Sequence, residues 1–281
     1  MSRVEEIINL VQHVQPFPKV VQRVMELLKN PETDAKTLAE VIQLDQVITA
    51  NVLKICNAAY FGLPRKVSSL DEALVVIGND TLKDIIITSS SARFYKGAVG
   101  AGYELEQGEL WKHSVAVGIL AKHLAGKVKG VDPGAAYTVG LLHDIGKRFL
   151  SSFVADDFER IMAKVAQGKD SFVETEKELL GITHAELGAI ILKKWEFPEE
   201  MQQAVREHHD PDALEKAPLT AMLALSNALV ISMGIGVGAD GLATKLRGEG
   251  LKRFGITPPI LDMCMANLFH EMEQAEELLN L

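Results

Sequence analysis

The sequence predicts an all-α protein, a multi-helix bundle with an N-terminal helical subdomain and a second, histidine-bearing helical subdomain. Three observations carry this expectation. Apolar residues recur near a period of 3.6 along most of the chain. Helix-starting and helix-stopping residues bracket those stripes. The β-branched triplet Ile85-Ile86-Ile87 is isolated among helical patterns, so a strand is the weaker reading there.

The elements follow in order. Val20, Val21, Val24, Leu27 and Leu28 form one face after Pro16 and Pro18. Leu38, Val41 and Ile42 form the next stripe. Asp45 opens a helix with Ile48, Val52 and Ile55 inward, closed by Gly62 and Pro64. Ser69-Leu70-Asp71-Glu72 reads as a capping box whose short helix ends at Gly78, and Asp80 caps the following run. Gly97, Gly100, Gly102 and Gly108 mark residues 97–108 as a joint between subdomains 1–96 and 109–235. Beyond it, helices are expected at about 109–127, 133–151, 155–168, 171–179, 184–195, 198–209 and 217–233. Residues 236–281 read as a connector and an amphipathic helix that starts at Pro258-Pro259 and carries Leu261, Met265, Leu268 and Met272. Gly234, Gly236 and Gly238 lack the Gly-Lys-Ser/Thr ending of a phosphate loop and read as a flexible connector.

Composition narrows the function. The chain has 281 residues, 47 % of them apolar, and a formal net charge of −9. That charge disfavours broad binding to nucleic acid or an anionic membrane. No window approaches 18 uninterrupted apolar residues, and the acidic N-terminus lacks a signal-peptide core, so a cytoplasmic protein is expected. Cys56 and Cys264 lie far apart in no paired motif, which argues against a thiolate metal site.

Five of the eight histidines fall in suggestive settings. His143-Asp144 sits inside an apolar helical run, where burial without partners would cost several kcal/mol. A divalent metal answers that cost, since imidazole and carboxylate suit zinc, iron or manganese. A hydrogen-bonded buried pair would answer it equally. Glu109 and His113, four apart, share a helical face and could chelate a metal or form an ordinary ion pair. His184 lies in a capping box, Thr183-His184-Ala185-Glu186, and His208-His209 ends a helix. His13, His123 and His270 lie in polar or amphipathic surroundings and read as structural.

In this order, His113, His143-Asp144, His184 and His208-His209 resemble the HD superfamily of metal-dependent phosphohydrolases. Phe17-Pro18-Lys19-Val20, Leu44-Asp45, Leu53-Lys54-Ile55-Cys56-Asn57-Ala58-Ala59-Tyr60-Phe61-Gly62, Ser69 to Ala73, Val76-Ile77-Gly78 and Trp195-Glu196-Phe197-Pro198 are similar to the signalling branch called the HDOD family. The resemblance covers about residues 15–235. It implies an HD-type helical subdomain and a place in bacterial signalling. It also implies a metal centre lined by His113, His143, Asp144, His184, His208 and His209, with Glu109 as an extra carboxylate. Two departures stand out. Asn227 occupies the place of a final aspartate ligand, and an amide is a poorer ligand for hard cations and cannot act as a base. After His209 comes Asp210-Pro211-Asp212, not Gly-Tyr-Pro, which argues against a cyclic-di-GMP phosphodiesterase of the subgroup named for that tripeptide.

Two functions follow from the resemblance. One is a signalling module that works through an unidentified protein partner, with weak or no catalysis; Asn227 favours it. The other is a phosphohydrolase with a dinuclear iron, manganese or zinc centre acting on a nucleotide or other phosphate ester. There Asp144 would bridge the ions and Lys147 would stabilise charge on a phosphoryl oxygen. Lys147 could equally be a plain ion-pair partner of Asp144.

Overall fold

A computed structural model of the chain describes residues 3–28, 30, 32–57, 66–95, 102–168, 170–243 and 246–279. Every regular element among them is helical. The fourteen α-helices are α1 (Arg3–His13), α2 (Lys19–Leu27), α3 (Ala35–Ile42), α4 (Gln46–Cys56), α5 (Leu70–Tyr95), α6 (Glu109–Ala125), α7 (Pro133–Leu142), α8 (Ile145–Asp156), α9 (Phe158–Val165), α10 (Phe172–Leu180), α11 (His184–Lys194), α12 (Glu199–Glu207), α13 (Pro218–Ser232) and α14 (Pro258–Leu279). Among the described residues, no helix is long and apolar enough to cross a membrane.

The chain divides into two compact units, Met1–Gln15 with Phe94–His270, and Pro16–Arg93 with Glu271–Leu281. Neither is a continuous stretch, unlike the expected split at 97–108. Lys194 Nζ donates to the carbonyls of Val11 and Gln12 at 2.7 Å each, and Trp195 Nε1 donates to that of Gln15 at 2.9 Å. These bonds satisfy acceptors at and beyond the end of α1 and hold it in the histidine-bearing unit. Gly97 and Gly100 lie outside the described residues. Gly102 is no hinge, because a Cβ there would stand 2.3 Å from the Ser151 carbonyl oxygen.

In the smaller unit, short polar side chains start and stop the helices. Asp34 accepts from Thr37 N at 2.7 Å, and Asp45 accepts from Val47 N and Ile48 N at 3.0 Å. Asn57 donates to the carbonyls of Leu53 and Val67 and accepts from Val67 N. It thereby clamps the two sides of residues 58–65, which include Gly62 and Pro64 and lie outside the described residues. Ser69 accepts from Glu72 N, as the capping box requires. Gly78, at φ 72° and ψ 170°, breaks the helical path within α5, and after it Ile85, Ile86 and Ile87 are helical and buried. The side chain of Asp80, the expected second cap, lies outside the described residues.

In the larger unit α6 and α13 are central, buried on nearly all sides. Glycines let the helices meet backbone to backbone. A Cβ on Gly140 of α7 would lie 2.6 Å from Gly118 Cα of α6, and one on Gly146 of α8 would lie 1.9 Å from the carbonyl oxygen of His184.

Three expectations are corrected here. The run 133–151 is not one helix, because it breaks at His143-Asp144 into α7 and α8. The carbonyls released by the break find side-chain donors: His143 Nδ1 reaches Gly140 O at 2.7 Å, and Tyr95 OH donates to Leu141 O at 2.6 Å. The run 155–168 likewise breaks, at buried Asp157, which pairs with Arg3 and Arg160. The stretch 234–238 is not a loose connector either. A Cβ on Gly236, at φ 55°, would lie 2.4 Å from Glu109 O, and one on Gly238 would lie 2.3 Å from Tyr103 O.

The Gly118–Gly140 contact yields a stability prediction. Gly140→Ala should destabilise the fold by about 1–3 kcal/mol, because the extra methyl meets backbone that cannot yield. Urea denaturation followed by circular dichroism measures this; an unchanged midpoint would contradict the close crossing.

Candidate metal centre

The helix ends of the larger unit converge on the Asp144 carboxylate. His113 reaches it from α6, His143 from the α7–α8 junction, His184 from the first turn of α11, and His208 from the end of α12. His184 is set by the capping box foreseen in the sequence: Glu186 N donates to Thr183 Oγ1 at 3.0 Å, and Thr183 N donates to Glu186 Oε2 at 2.9 Å.

The four rings divide between the carboxylate oxygens. His143 Nε2 is 3.2 Å and His113 Nε2 is 3.7 Å from Oδ2. His184 Nε2 is 3.4 Å and His208 Nε2 is 3.7 Å from Oδ1. His209 joins the Oδ1 side, its Nε2 2.9 Å from His184 Nε2. The ligand-capable atoms fall into two groups that share Asp144, one with His184, His208 and His209, the other with His113 and His143. Glu109 joins neither. It is the half-buried first residue of α6, one turn short of the depth at which His113 enters.

Outer partners fix the rings. His113 Nδ1 bonds to Ile235 O at 3.0 Å, His143 Nδ1 to Gly140 O at 2.7 Å, and His208 Nδ1 to Val205 O at 2.6 Å. His184 Nδ1 bonds to Glu176 Oε2 at 2.9 Å. A carbonyl or carboxylate accepts, so each Nδ1 carries the proton and each Nε2 lone pair points inward, as in metal-binding histidines. His143 Nε2, His208 Nε2 and Asp144 Oδ1 are buried with no hydrogen-bond partner among the described residues. Buried polar atoms in that condition are rare, and several aimed at one place call for a cation.

Asn227 reaches the same place, its Oδ1 3.0 Å from His113 Nε2, and it is buried.

Lys147 is buried between two carboxylates, with Nζ 2.6 Å from Asp144 Oδ2 and 2.5 Å from Asp240 Oδ2. Burial disfavours its charge, but Asp144 and Asp240 outweigh burial and raise its pKa. The same balance acts on Asp144. Burial opposes ionisation, while His143 and Lys147 hold its pKa well below the usual carboxylate range. Burial lowers His113 and His208 to about 4 and takes His209 well below its ordinary value. These rings are neutral near pH 7, the state that ligates. For His184 burial acts downward too, but the Glu176 carboxylate reverses it.

Glu176, Tyr103 and Asp240 were missed in the sequence. Glu176 is fully buried, accepts from His184 Nδ1 and His184 N, and receives the Tyr103 hydroxyl on its other oxygen. A signal for it exists: Phe172, Glu176 and Leu180 recur every four residues, so Glu176 sits on the buried stripe of α10. Asp240 lies in an aperiodic glycine-rich segment that offers no such signal. It is placed by Ala239 N, which donates to Tyr103 O at 2.9 Å.

A family model described as HDOD domain matches residues 14–211. An uncharacterized protein of Treponema pallidum is 23 % identical over 229 residues, which is 79 % of this chain and 44 % of that protein. Ribonuclease Y of Thermus thermophilus is 28 % identical over 156 residues, 55 % of this chain and 22 % of that enzyme. The chain thus spans less than half the length of these curated relatives. Among solved structures, an HDOD domain protein of unknown function from Geobacter sulfurreducens is 24 % identical with a TM-score of 0.67, covering 98 % of this chain and 96 % of the other. A Shewanella amazonensis protein that carries a phosphohydrolase name is 25 % identical with a TM-score of 0.69, covering 97 % of each chain.

The burial of neutral rings predicts a pH dependence. In chelator-treated protein, an unfolded chain takes up protons on these histidines as pH falls below about 6.5, whereas folded His113 and His208 refuse them until about 4. Stability is therefore full above that window and falls as the pH drops through it. His184, shifted upward, acts in the opposite sense and is outnumbered. Denaturation midpoints between about pH 7.5 and 4.5 measure the slope; a flat profile would contradict neutral buried rings.

Proposed function

Because this chain belongs to the HDOD domain family, we propose that it is a regulatory signalling module built around a transition-metal centre, with weak or no hydrolytic turnover. The observation that carries the metal reading is the set of partnerless inward atoms, His143 Nε2, His208 Nε2 and Asp144 Oδ1, around one buried carboxylate. Imidazole nitrogens with a carboxylate suit iron, manganese or zinc. His113, His143, Asp144, His184, His208 and His209 would hold the metal. When bound, it would supply Lewis acidity and a more acidic water.

This chain's own residues argue for low turnover. Asn227 offers an amide where a carboxylate would add negative charge and could accept a proton. Lys147 is engaged by Asp144 and Asp240, so its ammonium is not presented to a substrate phosphoryl group. Within the ligand set, only His209 is partly exposed; the others are buried. Output through a protein partner fits such a centre. The smaller unit supplies apolar side chains at its surface, with Leu44 75 %, Val47 67 % and Val75 79 % exposed.

The second reading, a phosphohydrolase acting on a nucleotide or phosphate ester, draws on the name of the Shewanella relative and on Asp144, whose two oxygens could bridge two ions. The two readings differ in rate. Purified protein reconstituted with iron, manganese or zinc should retain metal and hydrolyse bis(p-nitrophenyl) phosphate slowly or not at all. Robust turnover that vanishes in Asp144→Ala would favour the enzyme. Absence of metal after every reconstitution would sink both. Asn227→Asp adds an anionic donor beside His113 and His143 and should raise the number of ions retained per chain, read by elemental analysis after metal loading; no change would remove Asn227 from the site.

A further inference from the structure

The two halves of the centre differ in donors and in local charge. On the Oδ1 side stand three imidazoles, those of His184, His208 and His209, and Glu176 backs His184. On the Oδ2 side stand two imidazoles, a neutral amide from Asn227, and a cation already in contact, Lys147 Nζ at 2.6 Å. Resting on the metal-centre reading above, we infer that one divalent ion binds His184, His208, His209 and Asp144 Oδ1, while the Lys147 ammonium takes the place of a second ion on the His113–His143 side.

Lys147 is not a side chain that swings aside easily. It is 4 % exposed, and it also neutralises Asp240, which is 5 % exposed. Moving it to solvent would strand a buried carboxylate. A divalent ion on Oδ2 would have to share that oxygen with an ammonium and would find no second anionic donor among the residues of its group. The ion on Oδ1 meets neither obstacle. Asp240 is thus a positioning residue that holds Lys147 on Asp144 and sets how many ions the centre accepts.

The test uses the full chain loaded with excess Mn(II), then desalted. Elemental analysis should give about one ion per chain, and electron paramagnetic resonance should show an isolated six-line Mn(II) spectrum. His209→Ala should weaken binding about tenfold or more. The double variant Lys147→Met/Asp240→Asn removes one charge of each sign and leaves no stranded carboxylate; it should take up about two ions and show an exchange-coupled spectrum. Circular dichroism checks that both variants are folded. Two ions in the unsubstituted protein, a coupled spectrum there, or His209→Ala with unchanged affinity would overturn the inference while leaving the metal centre standing. No ion in any variant would instead overturn the metal-centre reading and this inference with it.

Discussion

A single buried carboxylate organises the larger unit. Asp144 stands at a break between two helices, where its backbone is released from the helical ladder and its side chain can lie at the meeting point of α6, α11 and α12. An ionised carboxylate in that position needs positive or polar neighbours on every side. The fold supplies them from α6, α8, α11 and α12. The close glycine approaches serve the same end: Gly118 against Gly140 seats α7 on α6, and Gly146 against the His184 carbonyl sets α8 against the start of α11. Larger residues there would push apart the elements that carry the histidines.

The outer layer matters as much as the inner one. Each candidate ligand histidine with an assigned Nδ1 partner directs its other nitrogen at Asp144, and most of those partners are backbone carbonyls near helix ends. Helix termination and ligand orientation are therefore one event. The broken helix that leaves Gly140 O unpaired is the helix that presents His143, and the end of α12 that leaves Val205 O unpaired presents His208.

Much of this was legible in the sequence, for identifiable reasons. The 3.6-residue stripes fixed helices such as α10, α11 and α13 to within a residue or two, and caps at Asp45, Ser69 and Thr183 have the expected local partners. Local signals are weak where tertiary contacts decide. The break at His143-Asp144 left the apolar period intact, so it read as continuous helix. Glu109 had the right spacing to His113 but too little depth. Gly236 and Gly238 read as slack chain, because glycine chosen for close packing looks the same as glycine chosen for freedom. Asp240 was hidden for a related reason, since its role depends on Lys147 from a distant helix.

The order in which the chain visits its two units has a practical meaning. The larger unit takes α1 from before Pro16 and resumes at Phe94, so the Pro16–Arg93 part of the smaller one is inserted within its sequence, while Glu271–Leu281 follows it. Trimming from either terminus cannot separate them, because a cut near residue 96 discards the segment whose carbonyls Lys194 and Trp195 grip. Only excision of Pro16–Arg93, with Gln15 rejoined to Phe94 through a short linker and the chain ended at His270, would isolate the histidine-bearing body.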